Sequence, residues 1–123
     1  MLTSSIGWIL VVSGVITAGG GLAALLGTRL FLRLGFGVGN PASVSLFFVR
    51  HWGVLILAVA GLLVLSAYAP AIRVPVLIAA AVEKFAMGLF TFFGPMERTS
   101  GMTAIAIVDG LFAILYVVYL LGL

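Results

Sequence analysis

Five ionisable side chains stand inside stretches otherwise almost devoid of charge: Arg50 and His51, Glu83 and Lys84, and Asp109. Together such groups can do recognisable chemistry. A guanidinium anchors an anionic or carbonyl oxygen, an imidazole exchanges a proton near neutral pH, and carboxylates hold both in place or carry a proton themselves. In hydrocarbon each charge costs at least ~2.5–3.5 kcal/mol on insertion scales, so these groups are expected to face the protein interior and find partners. Arg50 and Lys84 balance Glu83 and Asp109 when His51 is uncharged. A guanidinium has five donors and bridges two carboxylates, which makes Arg50 between Glu83 and Asp109 the expected arrangement. Lys84 lies ~100° around a helix from Glu83 and is expected to snorkel outward or to face a second cavity.

Aromatic residues accompany the charges. Phe47, Phe48 and Trp52 surround His51, Phe85, Phe90, Phe92 and Phe93 follow Glu83, and Phe112 and Tyr116 follow Asp109 at helical spacing. The combination suits an internal site for a small amphipathic, quinone-like or lipid-like ligand, with Arg50, His51, Glu83 and Asp109 as its polar groups and Trp52, Lys84 and Tyr116 as secondary contributors. The competing reading is a buried ion-pair network that only fixes helix register. A further alternative is a homo-oligomeric, proton-linked transporter with Glu83 or Asp109 as carrier, and another is a non-catalytic accessory subunit.

Other chemistries are excluded or unsupported. With no cysteine and one histidine, iron–sulfur clusters, thiolate chemistry and a protein-ligated zinc are out of reach, and bis-His haem would need two copies of His51 across a dimer. No metal site is expected, and the sequence identifies no cofactor. Gly19-Gly20-Gly21 leads into no Lys-Ser/Thr pair, so it is not a phosphate loop. No serine stands where a nucleophile would, and whether the chain is an enzyme is left open.

The elements that must position these residues follow from composition. Of 123 residues, 64% are apolar and 7% charged, whereas soluble domains carry roughly 25% charged residues. A soluble fold of this size could not hide so much apolar surface. The pattern predicts an all-α, single-domain transmembrane bundle whose four helices run up and down, with spans at about 6–27, 44–68, 75–93 and 102–121. Each is near the ~20 residues that cross ~30 Å of hydrocarbon. The segment after the first span, with Gly35, Gly37, Gly39 and Asn40-Pro41, reads as a loop. Ser43 and Ser100 are candidate N-caps, and Pro75 suits a first helical turn. No Lys or Arg lies among residues 1–5, so the first apolar run is expected to be a retained span rather than a signal peptide.

Counted from the face flanked by Arg29, Arg33 and Arg98, Arg50 and His51 lie about 10 Å deep, Asp109 about 12 Å and Glu83 about 16 Å. They converge on one layer. Only Arg73 flanks the other face, so the positive-inside rule puts both termini on the non-cytoplasmic side. A net charge of +3 without a basic stripe gives no nucleic-acid surface and suits contact with the lipid bilayer. Gly7, Gly14 and Gly21 recur every seven residues, a small-residue face for close helix packing within the chain or, alternatively, for a homodimer or larger membrane complex.

The run Arg50-His51-Trp52-Gly53 at the start of the second span, with Glu83 in the third and Asp109 in the fourth, resembles the DoxX-like group of small four-helix membrane proteins. The resemblance implies the four-helix fold and a polar site around these residues. Some members of that group are accessory subunits linked to sulfur oxidation or respiratory-type electron transfer. His51-Trp52 and Glu83-Lys84 depart from the group's commoner pattern, so no activity is carried over. Small multidrug exporters are similar in size, but they place their essential glutamate in the first span, where this chain has no acid.

Overall fold

The structure, a computed structural model, describes residues 2–122, and of residues 2 and 3 only the backbone. The described residues form five α-helices and no strand: α1 (Leu2–Leu26), α2 (Thr28–Phe36), α3 (Ser43–Tyr68), α4 (Arg73–Phe93) and α5 (Ser100–Leu120), with a 3₁₀ turn at Pro70–Ile72 before α4. All but α2 are long and apolar enough to cross a membrane. Their outward faces carry Trp8, Val15, Phe47, Ile78, Phe93 and Leu111, all exposed. In water such a surface would be an aggregation hazard. In lipid it is the solvated face, and the chain is a multi-pass membrane protein built as a four-helix bundle.

The bundle consists of two intimate pairs, α1 with α3 and α4 with α5, and a lighter contact between them. Glycine makes the first pair close. A methyl group on Gly53 would sit 2.8 Å from the carbonyl oxygen of Gly21, and one on Gly14 would meet Ala60 and Val64. These contacts pair residues 14 and 21 of α1 with residues 60–64 and 53–57 of α3, so the two helices run antiparallel. Such backbone approach supplies van der Waals packing where lipid removes the hydrophobic drive. Ile6, Ile9 and Leu10 of α1, Leu63 of α3, Leu77 and Ala80 of α4, and Tyr116 of α5 meet in one buried cluster.

The connections differ from the sequence expectation in two respects. The segment expected as a loop after α1 folds as α2, because Thr28 and Leu32 bury one stripe while Arg29 and Arg33, a turn apart, remain exposed. Gly37, at φ 71°, ends α2 with its N–H on the Arg33 carbonyl, while Val38 N–H returns to Leu32. This is the left-handed cap that favours glycine. Neither Ser43 nor Ser100 caps a helix. Ala42 precedes α3 without a side-chain cap, and Thr99 caps α5 by accepting from Met102 N–H at 3.1 Å. The same hydroxyl donates to the Gly35 carbonyl at 2.6 Å, fastening the start of α5 to α2. Pro75 does lie in the first turn of α4. Arg73 folds back to donate to the carbonyls of Ser66 and Ala67 near the end of α3, where a cation complements the helix dipole.

Candidate functional site

Lys84 is the centre of the buried polar layer. Its side chain is 2% exposed and its Nζ donates to Asp109 Oδ1 at 3.0 Å and to Thr17 Oγ1 at 2.9 Å. The ammonium thus joins α4 to α5 and α1. An ammonium has three N–H donors, and two of them are taken. The Phe112 ring lies with its centroid 6.0 Å from Nζ, at the outer limit of a cation–π contact. Helix geometry explains the convergence. Lys84 and Asp109 each lie nine residues from the ends of the helices that flank residues 94–99, so an antiparallel hairpin brings them level.

Beside this triad opens a cavity of about 260 Å³ to which all five helices contribute. Its polar wall is Thr17, Glu83, Lys84 and Asp109, and the rest is apolar, including Ile56, Val108 and the rings of Phe31 and Trp52. The two rings stack on each other with centroids 5.8 Å apart, and so join α2 to α3. Glu83 supplies the unusual feature. Its Oε2 is buried and has no hydrogen-bond partner. A buried carboxyl oxygen without a donor is costly, and native structures retain few of them. The wall therefore carries one ammonium and two carboxyl groups, and only the Asp109 carboxylate is paired with it.

Several sequence expectations are corrected here. Arg50 does not bridge Glu83 and Asp109. It is exposed, and its Nε donates to Thr28 Oγ1 at 3.3 Å. His51 is exposed as well and shares with Arg50 a separate groove between α1 and α3. The cause is rotation. On α3 it is Trp52 and Ile56, one turn apart, that face the cavity, and residues 50 and 51 fall on the outer side. Spacing along the helix follows from the sequence, but rotation about its axis does not. Lys84, expected to snorkel or to face a second cavity, instead holds Asp109 and shares the cavity with Glu83.

Tyr116 does not line the cavity. It is fully buried in the core, where its hydroxyl donates to Ser13 Oγ, which in turn donates to the Leu10 carbonyl. Of the periodic glycines, Gly14 and Gly21 are covered by α3, while a side chain at Gly7 would meet nothing within 4 Å. The glycine face is therefore largely taken up inside the chain. Thr17 was not singled out as a polar-site residue from sequence, although like Lys84 and Asp109 it lies nine residues from its helix end, a shared depth that would have identified it. Among the described residues no group of three or more His, Asp or Glu stands close enough to hold a metal ion.

No protein-family model, curated protein or solved structure matches the chain.

Proposed function

We propose that the protein binds a small amphipathic molecule within the bilayer, its apolar body in the cavity against Trp52 and Phe31 and its polar head on the Glu83–Lys84–Asp109 wall. The observation that carries this reading is the unpartnered Glu83 Oε2 on the wall of an otherwise apolar cavity. A ligand hydroxyl or amine would donate to that oxygen, and a ligand oxygen would accept the remaining N–H of Lys84. A quinol or a hydroxyl-bearing lipid meets both requirements. Ligand sites of this kind combine a mostly apolar lining with few, convergent polar groups. Arg50 and His51 have no part in it. Placement of the termini on the non-cytoplasmic side belongs to the same reading, supported by Arg29, Arg33 and Arg98 against Arg73 alone. So does the DoxX-like resemblance, of which Trp52, Glu83 and Asp109 are the members that line the cavity.

The test is purification in mild detergent followed by mass spectrometry of retained small molecules, for the wild type and for Glu83→Leu. The wild type should carry a defined compound with a hydroxyl or amine head. Glu83→Leu should lose it while its own stability holds or rises by about 1–3 kcal/mol, the cost of an unsatisfied buried polar group. Equal retention by both proteins, or nothing above detergent background in the wild type, overturns the reading.

A further inference from the structure

Arg50 presents a problem independent of the cavity. It is the eighth residue of α3, about 10 Å along the axis from the start of the helix. It is exposed on the outside of a helix whose neighbouring surface residues, Phe47 and Val54, face lipid. The chain has three acidic residues. Asp109 is held by Lys84, Glu83 lies on the other cavity, and Glu97 stands in the connection before α5. Among the described residues none of them forms an ion pair with Arg50. Among the described residues its one hydrogen bond, from Nε to Thr28, leaves both terminal amino groups of the guanidinium without an acceptor. An unpaired guanidinium at that depth is unfavourable unless an anion reaches it.

The surroundings indicate which anion. Arg50 and His51 line a groove of about 390 Å³ that runs from Ser43, at the start of α3, to Val54, with Leu25, Leu46 and Phe47 forming its apolar walls. Side chains on a helix tilt toward its N-terminus, so the Arg50 head is carried toward Ser43 and the membrane surface. Thr28 holds it at the junction of α1 and α2, and α2 adds the exposed Arg29 and Arg33 to the same end of the bundle. The groove is thus cationic at the end nearer the interface and greasy along its length. We infer that it seats an anionic phospholipid, with the phosphate on the Arg50 guanidinium and one acyl chain along Leu25, Leu46, Phe47 and Val54. The guanidinium fork matches a phosphodiester in geometry as well as charge. A zwitterionic lipid would bring an ammonium for which the groove holds no carboxylate.

Native mass spectrometry in mild detergent tests this, with phosphatidylglycerol, phosphatidylcholine and inorganic phosphate as probes. The wild type should retain phosphatidylglycerol about tenfold or more over phosphatidylcholine, and Arg50→Gln should bring the two to parity, the effect expected for loss of a charge-assisted hydrogen bond. Val54→Trp, which fills the groove from an exposed position and leaves Arg50 in place, should weaken phosphatidylglycerol retention at least several-fold. It also serves as the variant to read if Arg50→Gln does not fold. Undiminished retention in both variants, or equal retention of the two lipids by the wild type, overturns the inference. Efficient displacement by inorganic phosphate with no effect of Val54→Trp overturns it too, and makes the site one for a soluble anion.

Discussion

Removing the Asp109 carboxylate should be among the most damaging single changes the bundle can suffer. Lys84 Nζ and Asp109 Oδ1 stand 3.0 Å apart with side chains 2% and 17% exposed. At an effective dielectric of ~20, two unit charges at that distance attract by about 5 kcal/mol. In Asp109→Asn that attraction disappears while the Lys84 ammonium stays buried, its acceptors reduced to Thr17 Oγ1 and a neutral amide oxygen. Loss of one partner of a buried pair costs ~3–5 kcal/mol, and this variant should fall in that range. The pair as a whole is a different matter. Replacing both charges in Lys84→Met/Asp109→Leu removes the desolvation penalty along with the attraction, so the double variant should return to within ~1 kcal/mol of the wild type or exceed it. Arg50→Gln, at an exposed site with one long hydrogen bond, should change stability by less than ~1 kcal/mol when no anionic lipid is added. The assay is equilibrium unfolding in mixed micelles on titration with a denaturing detergent, followed by helical circular dichroism. If Asp109→Asn is as stable as the wild type, or if Arg50→Gln is the variant that collapses, the ion pair described here does not hold the bundle.

Three smaller perturbations probe the packing. Gly53→Ala would force a methyl group against the Gly21 carbonyl and the Leu25 amide, at 2.8 and 3.0 Å, and should cost ~1–3 kcal/mol in the same unfolding assay. Gly7→Ala meets nothing within 4 Å and should instead gain up to ~1 kcal/mol from helix propensity, so the two glycine substitutions carry opposite signs. Tyr116→Phe deletes the hydroxyl that donates to Ser13, which keeps its own bond to Leu10, and should cost about 1 kcal/mol without altering what the cavity retains.

The spans were legible because each is a long apolar run ended by glycine, proline or charge, and the structure places α3, α4 and α5 within about two residues of the expected bounds. Rise per residue, fixed in a helix, does bring Glu83 and Asp109 to one level, but Arg50 and His51, expected in the same layer, line a separate groove. What the sequence withheld was azimuth. Arg50 and Trp52 lie ~200° apart around α3, and apolar residues on every side give no amphipathic stripe to tell which of them faces inward. Charge chemistry then favoured the guanidinium as the bridge, whereas packing against α1 turned it out. Lys84 could have been paired with Asp109 from the hairpin register alone. In α2 the glycines suggested a loop, and the signal they masked was the alternation of Thr28 and Leu32 with Arg29 and Arg33. The unpartnered oxygen of Glu83 had no sequence signature, because it arises from where α4 is rotated and from what Lys84 prefers to hold.

The pairing of Lys84 with Asp109 also bears on how the chain enters the membrane. α1 brings no charge into the bilayer and can partition by itself. α4 on its own would carry Glu83 and Lys84 into hydrocarbon, and α5 on its own would carry Asp109. Each bare charge adds ~2.5–3.5 kcal/mol to insertion, a large share of what a span of this length gains. Joined only by residues 94–99, α4 and α5 can close their ion pair before either meets lipid. A hairpin of the two helices thus enters lipid with Lys84 and Asp109 compensated within itself, and among the described residues Glu83 is the one ionisable group of that layer left outside the pair.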